Sequence, residues 1–281
     1  MGDRAGIPEP VRAAYESTAG YDVRLRTHEL YSVAAPGWPE WLIQQVPRAG
    51  VRAVLDVGCG SGGLLRKLAA AGIGDGWVGI DQSEAMVLKA QALADEAGLA
   101  IEYRKGDILD PPCEGERFDL ICACHMLYHV SDISGAVRRC SQLLSPQGTF
   151  LAATNSRYTM QPYSQAVWSA VRERLPQIKL NPEHGPRFTL ENGAEHLVPN
   201  FDCIELRVRR DALRFGEATP WADYLKSCRH LQLSQGHTED DWRQVTSVID
   251  EMAQAQLAQG ALIVPKLAGV FLCRTPNAGS V

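Results

Sequence analysis

Between about Val51 and Thr154 the chain alternates short apolar runs with amphipathic stretches of helical spacing. "RAVLDVG" reads as a strand, "GGLLRKLAAAG" as a helix, and "GWVGID" as the next strand. "SEAMVLKAQALADEAG" is helical, with Ser83 as N-cap and Gly98 as the stop. "IEYRKGDI" alternates as a strand does, and "RFDLICACHM" is an apolar run. "DISGAVRRCSQLLSPQG" is helical, with its proline and glycine predicted to end it, and "TFLAATN" is again a strand. Strand–helix alternation at this spacing predicts an α/β fold, a parallel sheet with helices on both faces. Right-handed crossovers then collect the strand C-termini on one edge, where such sheets bind ligands.

After Asn155 the rhythm changes. Helical segments are expected within "SRYTMQPYSQAVWSAVRERLPQIKL", at "PWADYLKSCRHL" and at "TEDDWRQVTSVIDEMAQAQLAQ". A short capped helix at "TLENGAEHLV" leads into the strand "FDCIELRVRRDALRF", and "VPKLAGVFLCRT" is a closing strand. Around an open sheet these inserted helices would form a cap over the functional edge.

The chemistry concentrates in "VLDVGCGSGGLL". Gly58, Gly60 and Gly62 between a strand and a helix let a ligand approach the backbone with no Cβ in the way. The spacing leaves a dinucleotide open, because Gly63 stands three residues after Gly60. The acids decide. Asp56 precedes the glycines on the strand itself, where a carboxylate suits a bound ammonium or ordered water better than a pyrophosphate. Asp81 ends the second strand and can accept the hydroxyls of a ribose. Asp107 ends the third and can accept from the exocyclic amine of adenine. A ligand that presents amines and hydroxyls without phosphates fits this series, and S-adenosylmethionine is one.

"LDVGCGSG", "GIDQS", "GDI" and "FDLICACHMLYHVSD", taken in order, resemble the successive motifs of class I S-adenosylmethionine-dependent methyltransferases. "HMLYHVSD" followed by "LLSPQGTFLAATN" is similar to the small-molecule branch of that superfamily. "RTHELYS" and "FTLENGAEHL" resemble segments of bacterial members with poorly defined substrates. The resemblance implies a doubly wound, mainly parallel seven-stranded sheet with a helical cap. Residues 1–50 would form an N-terminal helical cap and 51–155 the cofactor-binding core. Residues 156–281 would hold the remaining core strands with inserted cap helices. Carried over by position, Asp56, Gly58, Cys59 and Gly60 would line the methionine part of the cofactor, and Asp81 would hold the ribose. Gln82 would lie beside the adenine, Asp107 and Ile108 would flank its amine, and the backbone at Cys124 would meet the cofactor's amino group. Tyr15 and Tyr21 are candidates to close over it.

A sulfonium is already a strong electrophile, so the protein's task would be alignment, exclusion of water and, for a hydroxyl, phenol or amine acceptor, removal of a proton. His129 is the first candidate base, followed by His125, with His28 and Tyr31 of "HELYS" third. Asn155 and Tyr158 could position the acceptor, and among the cap aromatics Trp168, Trp221 and Tyr224 would suit an apolar or aromatic one. The leading expectation is methylation of a small metabolite on oxygen, nitrogen or carbon. The alternatives are a methyltransferase acting on RNA or protein, a binder of the cofactor without catalysis, and a nicotinamide oxidoreductase.

Composition narrows these. The 281 residues carry a formal net charge of −5, which gives no global basic field for nucleic acid. Arg207, Arg209 and Arg210 alternate on a strand and are expected to face solvent. No apolar run approaches a bilayer span, and "MGDRAGIPEPVRAAYESTAG" lacks the apolar core of a signal peptide, so a cytoplasmic monomer or homodimer without a membrane partner is expected. The eight cysteines are expected as reduced thiols. No metal is expected: Cys122, Cys124, His125 and His129 are close in sequence, but their spacing fits no zinc framework and the two cysteines fall on an apolar strand.

Overall fold

The computed structural model describes residues 18–181, 187–234 and 236–274. Two helices come first, α1 (Ala19–Tyr31) and α2 (Trp38–Gln45). The core follows as β1 (Ala53–Val57), α3 (Gly63–Ala70), β2 (Gly76–Asp81), α4 (Glu84–Glu96) and β3 (Ile101–Lys105). It continues through β4 (Phe118–Cys124), α5 (Ile133–Leu143) and β5 (Leu144–Asn155). Beyond it lie α6 (Tyr163–Arg174), α7 (Gly193–Leu197), β6 (Cys203–Phe215), α8 (Ala218–Lys226), α9 (Arg229–Gln232), α10 (Glu239–Leu257) and β7 (Leu262–Arg274).

Local signals account for many boundaries. Ser83 caps α4 by accepting from the Met86 N–H, and Gly98, at φ 65°, follows that helix. Asp132 caps α5 through the Gly135 N–H at 2.8 Å. Helix α5 stops at Leu143, earlier than the "SPQG" signal placed it, and Leu144 already pairs with Phe118. The residue before a proline is disfavoured in helix, so the chain is extended ahead of Pro146. Thr238 and Asp241 form a capping box at the start of α10.

The strands form one sheet in the order β3-β2-β1-β4-β5-β7-β6. All neighbours are parallel except β7, which runs antiparallel to both β5 and β6. Helices cover both faces, as expected: Val137 of α5 and Leu197 of α7 pack with Phe150 and Phe271, while Leu42, Leu65 and Ala90 of α2, α3 and α4 pack with Leu151 and Val270. Position 51 falls between α2 and β1, and Asn155 is the last residue of β5.

The antiparallel strand does something the parallel core cannot. Pairing of β7 with β5 ends at Ala268 opposite Asn155, but its pairing with β6 continues to Leu262 opposite Phe215. A two-stranded ribbon therefore projects beyond the sheet's C-terminal edge. Its Leu213, Phe215, Leu262 and Val264 are buried against Val167 of α6, Trp221 of α8 and Val245 of α10, forming a third core. This helical lobe hangs over the edge where β1, β2, β4 and β5 end.

One expectation fails on this ribbon. Arg209 is not a solvated side chain: it is 7% exposed, donates to the carbonyls of Ala34 (3.0 Å) and Pro36, and lies 5.8 Å from the Trp41 ring. It ties the α1–α2 connection to the sheet. The strand does alternate, but α2 and the loop before it cover the face that carries Arg209.

Candidate active site

The strand ends, α1 and the lobe enclose a cleft of about 1600 Å³. Its floor begins at the turn after β1. The N–H groups of Gly58 and Cys59 donate to the Ile80 carbonyl (2.8 and 3.0 Å), and that of Gly60 donates to Asp81 Oδ2 (2.9 Å), so the turn is pinned to the end of β2. Gly58 has φ 66°, and a Cβ there would stand 2.7 Å from Met126 Cβ. Gly60 has φ 53°, and its Cβ would stand 3.1 Å from the Tyr21 hydroxyl. Glycine is required at both, and Tyr21 of α1 closes the cleft above the turn.

Asp56 is 2% exposed, and its Oδ1 has no hydrogen-bond partner. Burial, reinforced by Asp81, pushes its carboxyl up to about 8. A sealed, unpartnered carboxylate that lines a cleft is an acceptor waiting for a cationic donor. The α-ammonium of S-adenosylmethionine is such a donor, so the residues present fit that cofactor. The Asp81 carboxylate accepts from the N–H groups of Ser83 and Gly60, each at 2.9 Å, which fixes its plane and leaves lone pairs for ribose hydroxyls. Burial raises Asp81 against the opposing pull of those donors.

Gly58, Cys59, Gly60, Gln82, Ile108 and Cys124 all line this half of the cleft. The Cys59 thiol is held far above its ordinary value by burial and then by Asp56, so it is an inert wall. Asp107 is not brought to the cleft. Its carboxylate accepts from the Leu109 N–H at 2.9 Å, within its own turn, and its neighbours Gly106 and Ile108 face the cavity instead. Tyr15 lies outside the described residues.

The other half lies under the lobe. His28, His125, His129, Asn155, Trp168 and Tyr224 reach it from α1, the β4–α5 connection, β5, α6 and α8. Trp38 lies 5.2 Å from the His125 ring, Tyr224 lies 5.5 Å from the His28 ring, and Tyr128 lies 4.5 Å from that of His129. Burial lowers His125 to about 4 and His28 to about 3, with Lys266 the next cause for both. Both imidazoles are therefore neutral at physiological pH.

Three expected residues stand elsewhere. Tyr31 packs on Phe215 at 4.9 Å in the lobe core. Trp221 is fully buried, donating to Gln256 Oε1 at 2.8 Å, and touches the cleft only through Tyr224 stacked on it. Tyr158 is 65% exposed and does not line the cavity. Sequence reasoning missed Met126 under the glycine turn, Met160, whose sulfur accepts from the Tyr224 hydroxyl, and Lys266 of β7. For Lys266 a signal existed. In "LIVPKLAGV" it shares the buried alternation of Leu262, Val264 and Ala268.

Sheet order and glycine turn together are those of the class I methyltransferase fold. Comparison with known proteins agrees. Residues 54–148 match a family described as "Methyltransferase domain". The chain is 36% identical over 124 residues to a ubiquinone biosynthesis O-methyltransferase of Azorhizobium caulinodans, covering 44% of this chain and 47% of that protein. It is 34% identical over 161 residues to the protein of the same name in Methylocella silvestris, covering 57% and 58%. The chain thus spans about half the length of the curated relatives it matches. A putative methyltransferase from Bacillus halodurans shares the fold at TM-score 0.59 with 18% identity, over 85% of this chain and 99% of that one.

Proposed function

We propose that the chain transfers the methyl group of S-adenosylmethionine to a small-molecule acceptor with an aromatic or apolar body. The observation that carries this is the sealed, unpartnered Asp56 Oδ1 beside the glycine turn, in a cleft that continues under an aromatic-lined lobe. A dinucleotide would bring a pyrophosphate to the glycine turn and no ammonium to Asp56, leaving that buried carboxyl without a donor. The relatives named for ubiquinone biosynthesis support an aromatic, oxygen-bearing acceptor.

When bound, the cofactor supplies an electrophilic methyl group on a positively charged sulfur. The chain's own contribution is to place and enclose. Asp56 would hold the ammonium, Asp81 the ribose, and Tyr21 would cover both. Alignment of two enclosed partners removes a large part of the barrier without any protein nucleophile. His125 and His28, held neutral at physiological pH, can orient an acceptor hydroxyl by hydrogen bonding but are weak bases, and His129 lines the same space. Trp38, Trp168 and Tyr224 exclude water and offer flat surfaces. Methyl-labelled cofactor offered with metabolite extract, tRNA and protein pools tests this reading. Label is expected in the low-mass pool; transfer confined to the tRNA or protein pool would refute it.

A further inference from the structure

The stripe of side chains that carries the lobe changes character where it meets the cleft. Across the ribbon, Leu262 pairs with Phe215, Val264 with Leu213, and Lys266 with Asp211. The first two pairs are buried and apolar. The third is an ion pair with side chains 10% and 5% exposed, and Lys266 lines the cavity. Burying two charges costs desolvation that an apolar pair would avoid, so the site calls for a reason.

The hydrogen-bonding capacities of this pair do not match. Asp211 already accepts from the Ser32 hydroxyl and from the N–H groups of Ala34 (3.0 Å) and Ala212 (2.7 Å). Lys266 stands 3.4 Å from its Oδ2, a long contact that occupies one of three ammonium donors. Lys266 is close enough to His28 and His125 to hold both imidazoles down, Arg24 also acts on His28, and Arg209 acts on Lys266. His28 Nδ1 is sealed from solvent with no partner. The charged groups acting on Lys266 itself are Asp211 and Arg209.

We propose that Lys266, with His28 and His125 beside it, receives an anionic oxygen of the methyl acceptor, a carboxylate or an ionised phenol, and so selects acidic aromatic acceptors over their neutral analogues. This rests on the assignment of this half of the cleft to the acceptor. An anion here fills the unused ammonium donors of Lys266 and offsets the cost of burying its charge. The cleft is then bipolar. Asp56 and Asp81 hold a positive cofactor at one end, Lys266 holds a negative acceptor at the other, and the reacting centres meet between them.

Calorimetry on protein saturated with S-adenosylhomocysteine tests the proposal with two matched pairs, salicylate against methyl salicylate and para-nitrophenol against para-nitroanisole at mildly alkaline pH. In wild type the anionic member of at least one pair should bind about tenfold more tightly, as a charge-assisted contact implies. The pair that shows the preference tells carboxylate from phenol. Lys266→Met should abolish it and Lys266→Arg should keep it, with S-adenosylhomocysteine affinity retained in both. Should either variant fold poorly, histidine NMR on wild type decides the matter: salicylate should raise the titration midpoints of His28 and His125, and methyl salicylate should leave them. Equal binding within both pairs, a preference that survives Lys266→Met, or unmoved histidines would overturn the proposal. Loss of S-adenosylhomocysteine binding by wild type would instead overturn the cofactor reading beneath it.

Discussion

If Asp56 awaits an ammonium, cofactor binding must be linked to a proton. With the buried carboxyl at about 8, roughly one Asp56 in ten is ionised at pH 7 and about one in a hundred at pH 6. A ligand that requires the carboxylate should therefore gain about tenfold in affinity from pH 6 to pH 7, with the gain levelling off near pH 8. Methylthioadenosine, which lacks the amino-acid part, should show no such slope. Isothermal titration of S-adenosylhomocysteine in buffers of different ionisation enthalpy should record release of about one proton per site at pH 7.

The same carboxyl sets the ligand-free stability. Its value is raised in the fold, so its contribution is intact below about pH 4, where both states are protonated, and is lost progressively as pH rises towards 8. At pH 7 the cost is on the order of 4 kcal/mol as an upper bound. Asp56→Asn should remove the slope and weaken S-adenosylhomocysteine at pH 8 by at least about tenfold, the worth of one charged hydrogen bond. It should also raise the melting temperature of the ligand-free protein. A flat affinity from pH 6 to 8, or equal slopes for both ligands, would refute the assignment.

Three further substitutions separate the parts of the site. Gly58→Ala combines a positive φ with a Cβ 2.7 Å from Met126, and should lower stability by about 1–3 kcal/mol, read by denaturant melts, while abolishing cofactor binding. Trp221→Ala opens the lobe core beneath Tyr224 and should cost about 3–5 kcal/mol. Steady-state kinetics should then show a raised acceptor KM, and calorimetry an unchanged affinity for S-adenosylhomocysteine. Tyr31→Phe should leave the methyl-transfer rate as it is, because Tyr31 packs on Phe215 away from the cavity; a pronounced fall in kcat would return it to the site.

The parallel core was legible because each of its signals is local. Apolar runs, the Ser83 and Asp132 caps and the glycines after β1 act within a few residues of themselves, and the expected helices and strands stand where those signals lie. The acids were legible for the same reason: Asp56 and Asp81 sit at strand ends, and strand ends share an edge. Asp107 has the same placement, yet a turn donor nearer than any ligand, the Leu109 N–H, captured it. Direction was harder to read. Tyr31 is expected as a base, Tyr158 for its place after β5 and Trp221 for its ring, but packing partners far along the chain decide which way each side chain points. Arg209 looked solvated because its cover, the Ala34–Pro36 connection, lies more than a hundred residues upstream. The projecting β6–β7 ribbon was hidden because strand register in an antiparallel pair is set by the partner strand. Lys266 went with it.

A crystal structure of the complex with S-adenosylhomocysteine tests the account most directly. The amino nitrogen should lie within hydrogen-bond distance of the Asp56 carboxylate, the ribose hydroxyls on Asp81, and the sulfur should face the cavity lined by His125, Tyr224 and Lys266. An amino group placed away from Asp56, or a sulfur turned away from the helical lobe, would contradict it.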